Sequence, residues 1–189
     1  MARAGLTTER VALAGADLAD EVGLERVTVS EIARRFDVKV ASLYSHVKSS
    51  DDLRTQIALV ALADLADRGA AVLAGRAGKD ALTALGDLYR DYATQFPGRY
   101  DATQVPLDAE TAAASAGPRH AEMLRAVLRG YGLADDDRTH AIRLLGSVFH
   151  GFATLERAGS FSHSRPDSQD SWERVLDSLD DTLRGWAAR

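Results

Sequence analysis

The sequence predicts an all-α fold, with an N-terminal three-helix head that carries a helix-turn-helix, set on a larger helical body. Three observations predict it. Apolar residues recur at i, i+3, i+4 and i+7 spacing in segment after segment, and most segments open on Ser, Thr, Asp or Pro. No stretch alternates apolar and polar residues as a half-buried strand would. Between Val27 and Leu53, in VTVSEIARRFDVKVASLYSHVKSSDDL, two short helical patterns flank a tight turn. With 189 residues, 46% of them hydrophobic, the chain can bury one ordinary core, or form a small head with a larger body.

Thr7 or Thr8 caps a first helix that reaches about Val22, with Val11, Ala14, Leu18 and Val22 on one face and Gly23 at its stop. Thr28 and Glu31 form a Thr-x-x-Glu capping box for a second helix, which has Ile32, Ala33 and Phe36 as its stripe and ends at Asp37. A third helix, from about Val40 to His46, buries Leu43 and Val47 and turns Ser42, Tyr44, Ser45 and His46 outward. Ser49 or Ser50 then opens a long helix, with Asp51 and Asp52 in the first turn, where negative charge suits the dipole. Leu53, Ile57, Val60, Ala61 and Leu65 carry it toward Leu73, a strut of roughly 30 Å at about 1.5 Å per residue.

Ala74 to Lys79 reads as a loop and Asp80 to Gln95 as a helix with Leu82, Leu85, Leu88, Tyr89, Tyr92 and Phe96 inward. Pro97-Gly98 reads as its end. From Arg99 to Gly117 periodicity is weak, and Asp108 to Ala116 is a candidate short helix. Pro118 opens a helix that Gly130 closes, with Met123, Leu124, Val127 and Leu128 apolar. Asp135 to Asp137 cap a helix from about Arg138 to Ala158 that is apolar on more than one face, through Ile142, Leu145, Val148, Phe149, Phe152 and Leu155. After the polar loop Ser160 to Pro166, a last helix runs from Ser168 or Asp170 to Ala187. Its stripe is Trp172, Val175, Leu176, Leu179, Leu183 and Trp186.

Charge is unevenly spread. The net charge is -5, yet Arg26 to Lys48 holds five basic residues against two acidic ones, while residues 51–189 hold 16 basic and 21 acidic. A positive head can meet phosphates while an acidic body stays off them. The second helix of a helix-turn-helix fits the major groove of duplex DNA. There Ser42 and Ser45 can donate to or accept from base edges, Val40 and Ala41 can touch thymine methyls, and Lys39 can reach a guanine or a phosphate. Tyr44, His46 and Lys48 would set register on phosphates. The plainer reading of Tyr44 and His46 is that they cover the core of a small head.

Other chemistry is poorly supported. Cysteine is absent, which excludes disulfides and thiolate sites. No His-Glu-x-x-His run occurs, Ser147 lacks a Gly-x-Ser-x-Gly elbow, and no Gly-rich phosphate loop precedes a helix. No enzyme, metal or cofactor is therefore expected, and His150, on an apolar helix, reads as a core or interface residue. No apolar run at the start is long enough for a signal peptide. The longest elsewhere, Ile57 to Ala63, is far short of the ~20 residues that span a bilayer, so the expected location is the cytoplasm.

Thr28, Ile32-Ala33, Val38, the run Leu43-Tyr44-Ser45-His46-Val47 and the pair Asp52-Leu53 resemble the signature of TetR-type transcriptional repressors. The resemblance implies that Ser30, Val40, Ala41, Ser42 and Ser45 face base edges and that Thr28, Tyr44 and His46 meet phosphates. Two positions depart from the pattern. Asp37 stands where the family usually has a turn glycine, which is tolerable because Asp visits left-handed conformations more readily than most residues. Ser50 stands where a phosphate-anchoring lysine is usual, and Lys48 is the candidate substitute. Leu144 to Phe152, with Leu155-Glu156, Gly159 and Phe161, is similar to the subclass whose C-terminal domain is named for Trp-His-Gly, with Phe149 in place of the Trp.

The expectation is then a ligand-responsive DNA-binding regulator with residues 1–50 as DNA-binding domain and 51–189 as ligand-binding and dimerisation domain. Its partners would be a near-palindromic duplex operator, a second copy of the chain, and a small effector. Candidate pocket walls are Leu62, Tyr89, Tyr92, Phe96, Met123, Val127 and Phe149, though at helical spacing such residues are more often plain core. The expected dimer contacts are Leu145, Phe152, Trp172, Leu176, Leu179, Leu183 and Trp186. The alternative is a helical module that binds proteins or small molecules but not DNA.

Overall fold

The computed structural model describes residues 5–188, and it is all-α as predicted. Its helices are α1 (Thr8–Val22), α2 (Val29–Arg35), α3 (Val40–Leu43), α4 (Ser50–Leu73), α5 (Gly78–Gln95), α6 (Pro97–Ala102), α7 (Ala109–Ala114), α8 (Gly117–Leu128), α9 (Asp135–Arg157) and α10 (Ser168–Ala187). Short 3₁₀ turns lie at Leu24–Arg26 and Arg129–Tyr131, and no strand occurs among the described residues. The helices pack as two compact units. One takes in the chain up to Leu65 together with Phe96–Ala116, and the other takes in Ala66–Gln95 together with everything from Gly117. These units of packing do not coincide with the division expected from the sequence, 1–50 and 51–189. The outermost residues of those two spans, 1–4 and 189, lie outside the described residues.

In the first unit, α1 starts where the Thr7 hydroxyl accepts the Arg10 N–H at 3.2 Å, and it stops where the Gly23 N–H returns to the Ala19 carbonyl. Val11, Ala16 and Leu18 of α1 share one core with Leu24, Val27, Ile32, Leu43, Leu53 and Ile57. Thr28 caps α2 by accepting the Glu31 N–H at 3.2 Å. Only half of the capping box forms, because the Glu31 carboxylate turns to Arg34 at 2.8 and 2.9 Å. Asp37 makes the turn into α3 at φ +52°. Regular geometry in α3 is shorter than predicted, and Tyr44 to His46 continue as turns, with the His46 and Val47 N–H groups on the Leu43 carbonyl.

Pro97-Gly98 does not simply end α5, as the sequence suggested. It begins α6, where the missing proline N–H costs nothing in a first turn. A Cβ at Gly98 would overlap the backbone of Ala19, so α6 lies directly against α1. Asp20 of α1 accepts the Arg99 N–H at 2.8 Å and the Arg99 guanidinium at 2.6 Å, while Asp17 accepts a second guanidinium nitrogen at 2.5 Å. Burial pushes the Asp20 carboxyl above its ordinary value, and hydrogen bonding and charge from Arg99 draw it part of the way back.

The second unit is built around α5, which starts at Gly78, inside the stretch read as a loop. Leu82 and Leu85 share a core with Met123, Val127 and Leu128 of α8, Leu145 and Phe149 of α9, and Trp172, Leu176, Leu179 and Leu183 of α10. Its buried polar groups are partnered. The Trp172 indole N–H donates to Asp87 at 2.7 Å, and the Tyr131 hydroxyl donates to Asp180 at 2.7 Å. Arg90 ties three helices together. It donates to Glu156 at 2.6 and 2.7 Å and to Gln169 at 2.5 Å, and its guanidinium lies 5.7 Å from the Phe152 ring centroid and 5.8 Å from that of Trp172.

The Arg90 hydrogen bonds hold the Glu156 carboxyl below its ordinary value of 4.5. A depressed carboxylate adds stability that is complete above its unfolded value and is lost as pH falls through the lower folded value. Glu156→Gln should therefore cost about 2 kcal/mol at pH 7. In urea titrations the gap between variant and parent should shrink as pH falls below 4.5.

Candidate nucleic-acid interface

The docking of α3 decides which side chains can meet a duplex. Leu43 and Val47 are buried at 0% and 1% exposure, which fixes the rotation of this segment on the first unit. The Thr8 hydroxyl donates to the His46 carbonyl at 3.1 Å and ties the end of the segment to the start of α1. Ala41, Ser42, Tyr44, Ser45 and Lys48 are consequently exposed, as are Thr28, Ser30 and Lys39, while Val40 and His46 are half-buried. Tyr44 is 54% exposed, which counts against a role as cover for the core. The Ser45 hydroxyl donates to the Ser42 carbonyl at 2.8 Å, so its oxygen keeps lone pairs free to accept from a base. Lys48 places its backbone N–H on Asp52 at 2.6 Å, leaving the ammonium to solvent.

The positive charge of this region is less available than counting suggested. Arg34 is held by Glu31, and Arg35 makes a paired contact with Glu21 of α1 at 2.8 and 3.0 Å. Arg54 is similarly held by Glu25 at 2.7 Å. Lys39 and Lys48, which flank α3, have no ion pair among the described residues. They are the cations best placed for phosphates. Tallying charge along the chain missed Glu21, which reaches Arg35 only through the fold.

The candidate pocket residues are divided between the two units. Tyr89, Tyr92, Met123, Val127 and Phe149 lie in the second unit, whereas Leu62 and Phe96 belong to the first. Within the second unit, the Tyr89 ring centroid is 5.9 Å from that of Phe149, and its hydroxyl is 3.1 Å from Nδ1 of His120. Burial pushes the Tyr89 phenol up to about 12. Arg68 lies 5.6 Å from the Tyr92 ring centroid. His120 and Arg68 were not foreseen. His120 sits one helical turn before Met123, so shared-face spacing was the signal that could have found it.

The expected dimer contacts need correcting. Leu145, Trp172, Leu176, Leu179 and Leu183 are all buried in the unit's own core, and only Phe152 and Trp186 retain partial exposure. The long stripe of α10 meets α5, α9 and the 3₁₀ turn at Arg129–Tyr131 of the same chain. A stripe shows that a face is buried without showing by what.

Comparison with known proteins gives the same architecture. A family described as bacterial regulatory proteins, tetR family, matches residues 13–57, and one described as tetracyclin repressor-like, C-terminal domain, matches residues 82–179. An uncharacterized HTH-type transcriptional regulator of Mycobacterium tuberculosis is 36% identical over 160 residues, covering 82% of this chain and 72% of that one. Among solved structures, BioQ with its double-stranded DNA operator superposes with a TM-score of 0.68 at 19% identity, over 96% of this chain and 99% of that one. A TetR variant from Acinetobacter baumannii in complex with minocycline has a TM-score of 0.69 at 17% identity, over 97% and 99% of the two chains. These structural likenesses concern the fold.

The exposed face yields a direct expectation. Tyr44→Phe combined with Lys48→Ala should weaken binding to every duplex and reduce the slope of affinity against salt by about one phosphate contact. Ser42→Ala should leave that slope alone and relax preference at one base position. Titration of fluorescent duplexes at several salt concentrations separates the two effects.

Proposed function

This chain belongs to the TetR family of bacterial transcription regulators, DNA-binding proteins rather than enzymes, and from that premise we propose that it is a repressor which a small effector releases from its operator. The observation that carries the reading is the exposed polar face of α3, flanked by Lys39 and Lys48 and held by Leu43 and Val47. In this reading residues 1–50 read DNA and residues 51–189 bind ligand and dimerise. Ser30, Val40, Ala41, Ser42 and Ser45 face bases, Lys39 reaches a guanine or a phosphate, and Thr28, Tyr44, His46 and Lys48 meet phosphates. The operator complex of BioQ supports the first role, and the minocycline complex of the TetR variant supports the second. No helix among the described residues is long and apolar enough to cross a membrane, and the working location is the cytoplasm, with the chromosome.

Two copies reading successive major grooves require their α3 segments near one helical turn apart, about 34–36 Å, and a near-palindromic site. An effector that binds better to a state of different spacing would release the duplex, and only that difference in affinity can drive the change. Within the second unit the effector site draws on Tyr89, Tyr92, Met123, Val127 and Phe149. Of these, Tyr89 and Tyr92 lie on α5, which runs into α6 across one residue, Phe96, and α6 is clamped to α1 through Arg99. A strain felt by α5 thus passes along the chain into α6 and, through the Arg99–Asp20 contact, to α1.

In this reading the second copy docks on the outer face of α9 and α10, around Gly151 and Leu155 of α9 and Gly185 of α10. Leu155 is 49% exposed, and a Cβ at Gly151 or Gly185 would meet nothing within 4 Å. Small residues let two helices approach closely. Gly151→Arg should leave folding intact and convert the protein to monomer in sedimentation velocity, and a surviving dimer would move the interface elsewhere.

The test of the function is selection of bound sequences from a random duplex pool at stated salt. Enrichment of a near-palindrome is expected. A folded protein that enriches nothing, with or without small molecules from its host, would favour a module that does not bind DNA.

A further inference from the structure

Between the C-terminal part of α4 and the length of α8 lies a groove of about 400 Å³, walled by Ala66, Ala70 and Ala126, rimmed by Arg119, Glu122 and Arg129, and floored by Met123. The floor is an unusual contact. A Cβ at Gly69 of α4 would overlap Sδ and Cε of Met123, and the next neighbour, Cδ2 of Leu88, is at 3.7 Å. The thioether end therefore sits in a notch that exists because position 69 has no side chain. Met123 is only 7% exposed there, yet its unbranched side chain has other rotamers open to it outside the notch.

What lies next to that floor is polar. His120 precedes Met123 by one turn of α8, and its Nδ1 meets the Tyr89 hydroxyl at 3.1 Å. Tyr89 packs in turn on Phe149. Two of the charges at the rim are paired, Arg119 with Asp67 at 2.6 Å and Glu122 with Arg125 at 2.6 Å, and Arg129 lines the groove beside them. A carboxylate or ammonium driven inward would lose its hydration against a phenol and an imidazole. A hydroxyl or carbonyl would exchange one hydrogen bond for another.

We propose that this groove is the mouth of the effector site, that Met123 is its displaceable floor, and that the site takes an uncharged apolar molecule whose single polar group meets Tyr89 and His120. The inference rests on the regulator reading and names the class of molecule that regulator answers to. Binding swings Met123 out of the Gly69 notch and opens a path from the groove to the Tyr89–His120 pair. Because Tyr89 lies on α5, a ligand that competes for its hydroxyl acts on the helix that leads into α6.

The test uses the full chain and three probes in equilibrium dialysis: 4-butylphenol, butylbenzene and 4-butylbenzoate. The phenol should bind most tightly. Met123→Ala should raise its affinity roughly tenfold by opening the path in advance. Tyr89→Phe should lower phenol affinity roughly threefold to tenfold and leave butylbenzene unchanged. A folded Met123→Ala protein that binds no more tightly, or a preference for the benzoate, overturns the proposal. Should Met123→Ala fail to fold, Tyr89→Phe decides alone, and an equal loss for phenol and butylbenzene overturns it. Phenol that binds in the expected pattern but leaves operator affinity unchanged overturns the effector role. The expected pattern together with no enriched duplex supports the pocket and overturns the regulator reading instead.

Discussion

The close approach of α6 to α1 is the constraint on which the first unit depends. Gly98 lets the two backbones touch, and the Asp20 carboxylate then takes both the backbone and the guanidinium of Arg99, across 79 positions of sequence. Both partners are about 15% exposed, so the contact is shielded from solvent, and removing either one would leave the other charge without its partner. It draws Phe96–Ala116 into the same core as the helices that carry the candidate DNA-reading residues, with Ala102 fully buried among them. Without it α1 would have bare backbone where α6 now lies. The helix that supports the reading segment is thus held by a piece of chain from beyond α5.

Much of the fold was legible because helix starts are local. Thr7, Thr28, Ser49, Asp108 and Asp167 each accept a backbone N–H three residues on, and short polar residues ahead of apolar periodicity signal that bond directly. The face of α3 was legible for the same reason, since Leu43 and Val47 are four apart and leave one side polar. Long-range facts were not legible. Pro97-Gly98 looks like a stop in any local reading, and only the proximity of Ala19 explains why a glycine stands there at a helix start. The stripe of α10 identified a buried face but assigned it to another copy. Arg35 counted as free charge because Glu21 lies outside any short window.

Function follows from the division between exposed and satisfied polar groups. Around α3, hydroxyls and two lysines remain available to an external partner, while Arg34, Arg35 and Arg54 are held by carboxylates. Within the second unit the reverse holds, since no buried side-chain nitrogen or oxygen among the described residues lacks a partner. A ligand must therefore enter that interior by exchanging a hydrogen bond for one already made, which favours molecules with few polar groups. The same economy makes Tyr89 informative, because its part-buried hydroxyl meets His120, one helical turn from Met123.

The chain's three lysines, Lys39, Lys48 and Lys79, give the most direct test that α3 and its flanks are the surface that meets DNA. Lys39 and Lys48 flank α3, while Lys79 pairs with Asp177 at 2.8 Å on the second unit. Amine labelling of the purified protein, read by mass spectrometry with and without the selected duplex, follows all three in one sample. Protection of Lys39 and Lys48 with Lys79 unchanged is the predicted result. Equal labelling of Lys39 and Lys48 in the bound and free protein would contradict the account.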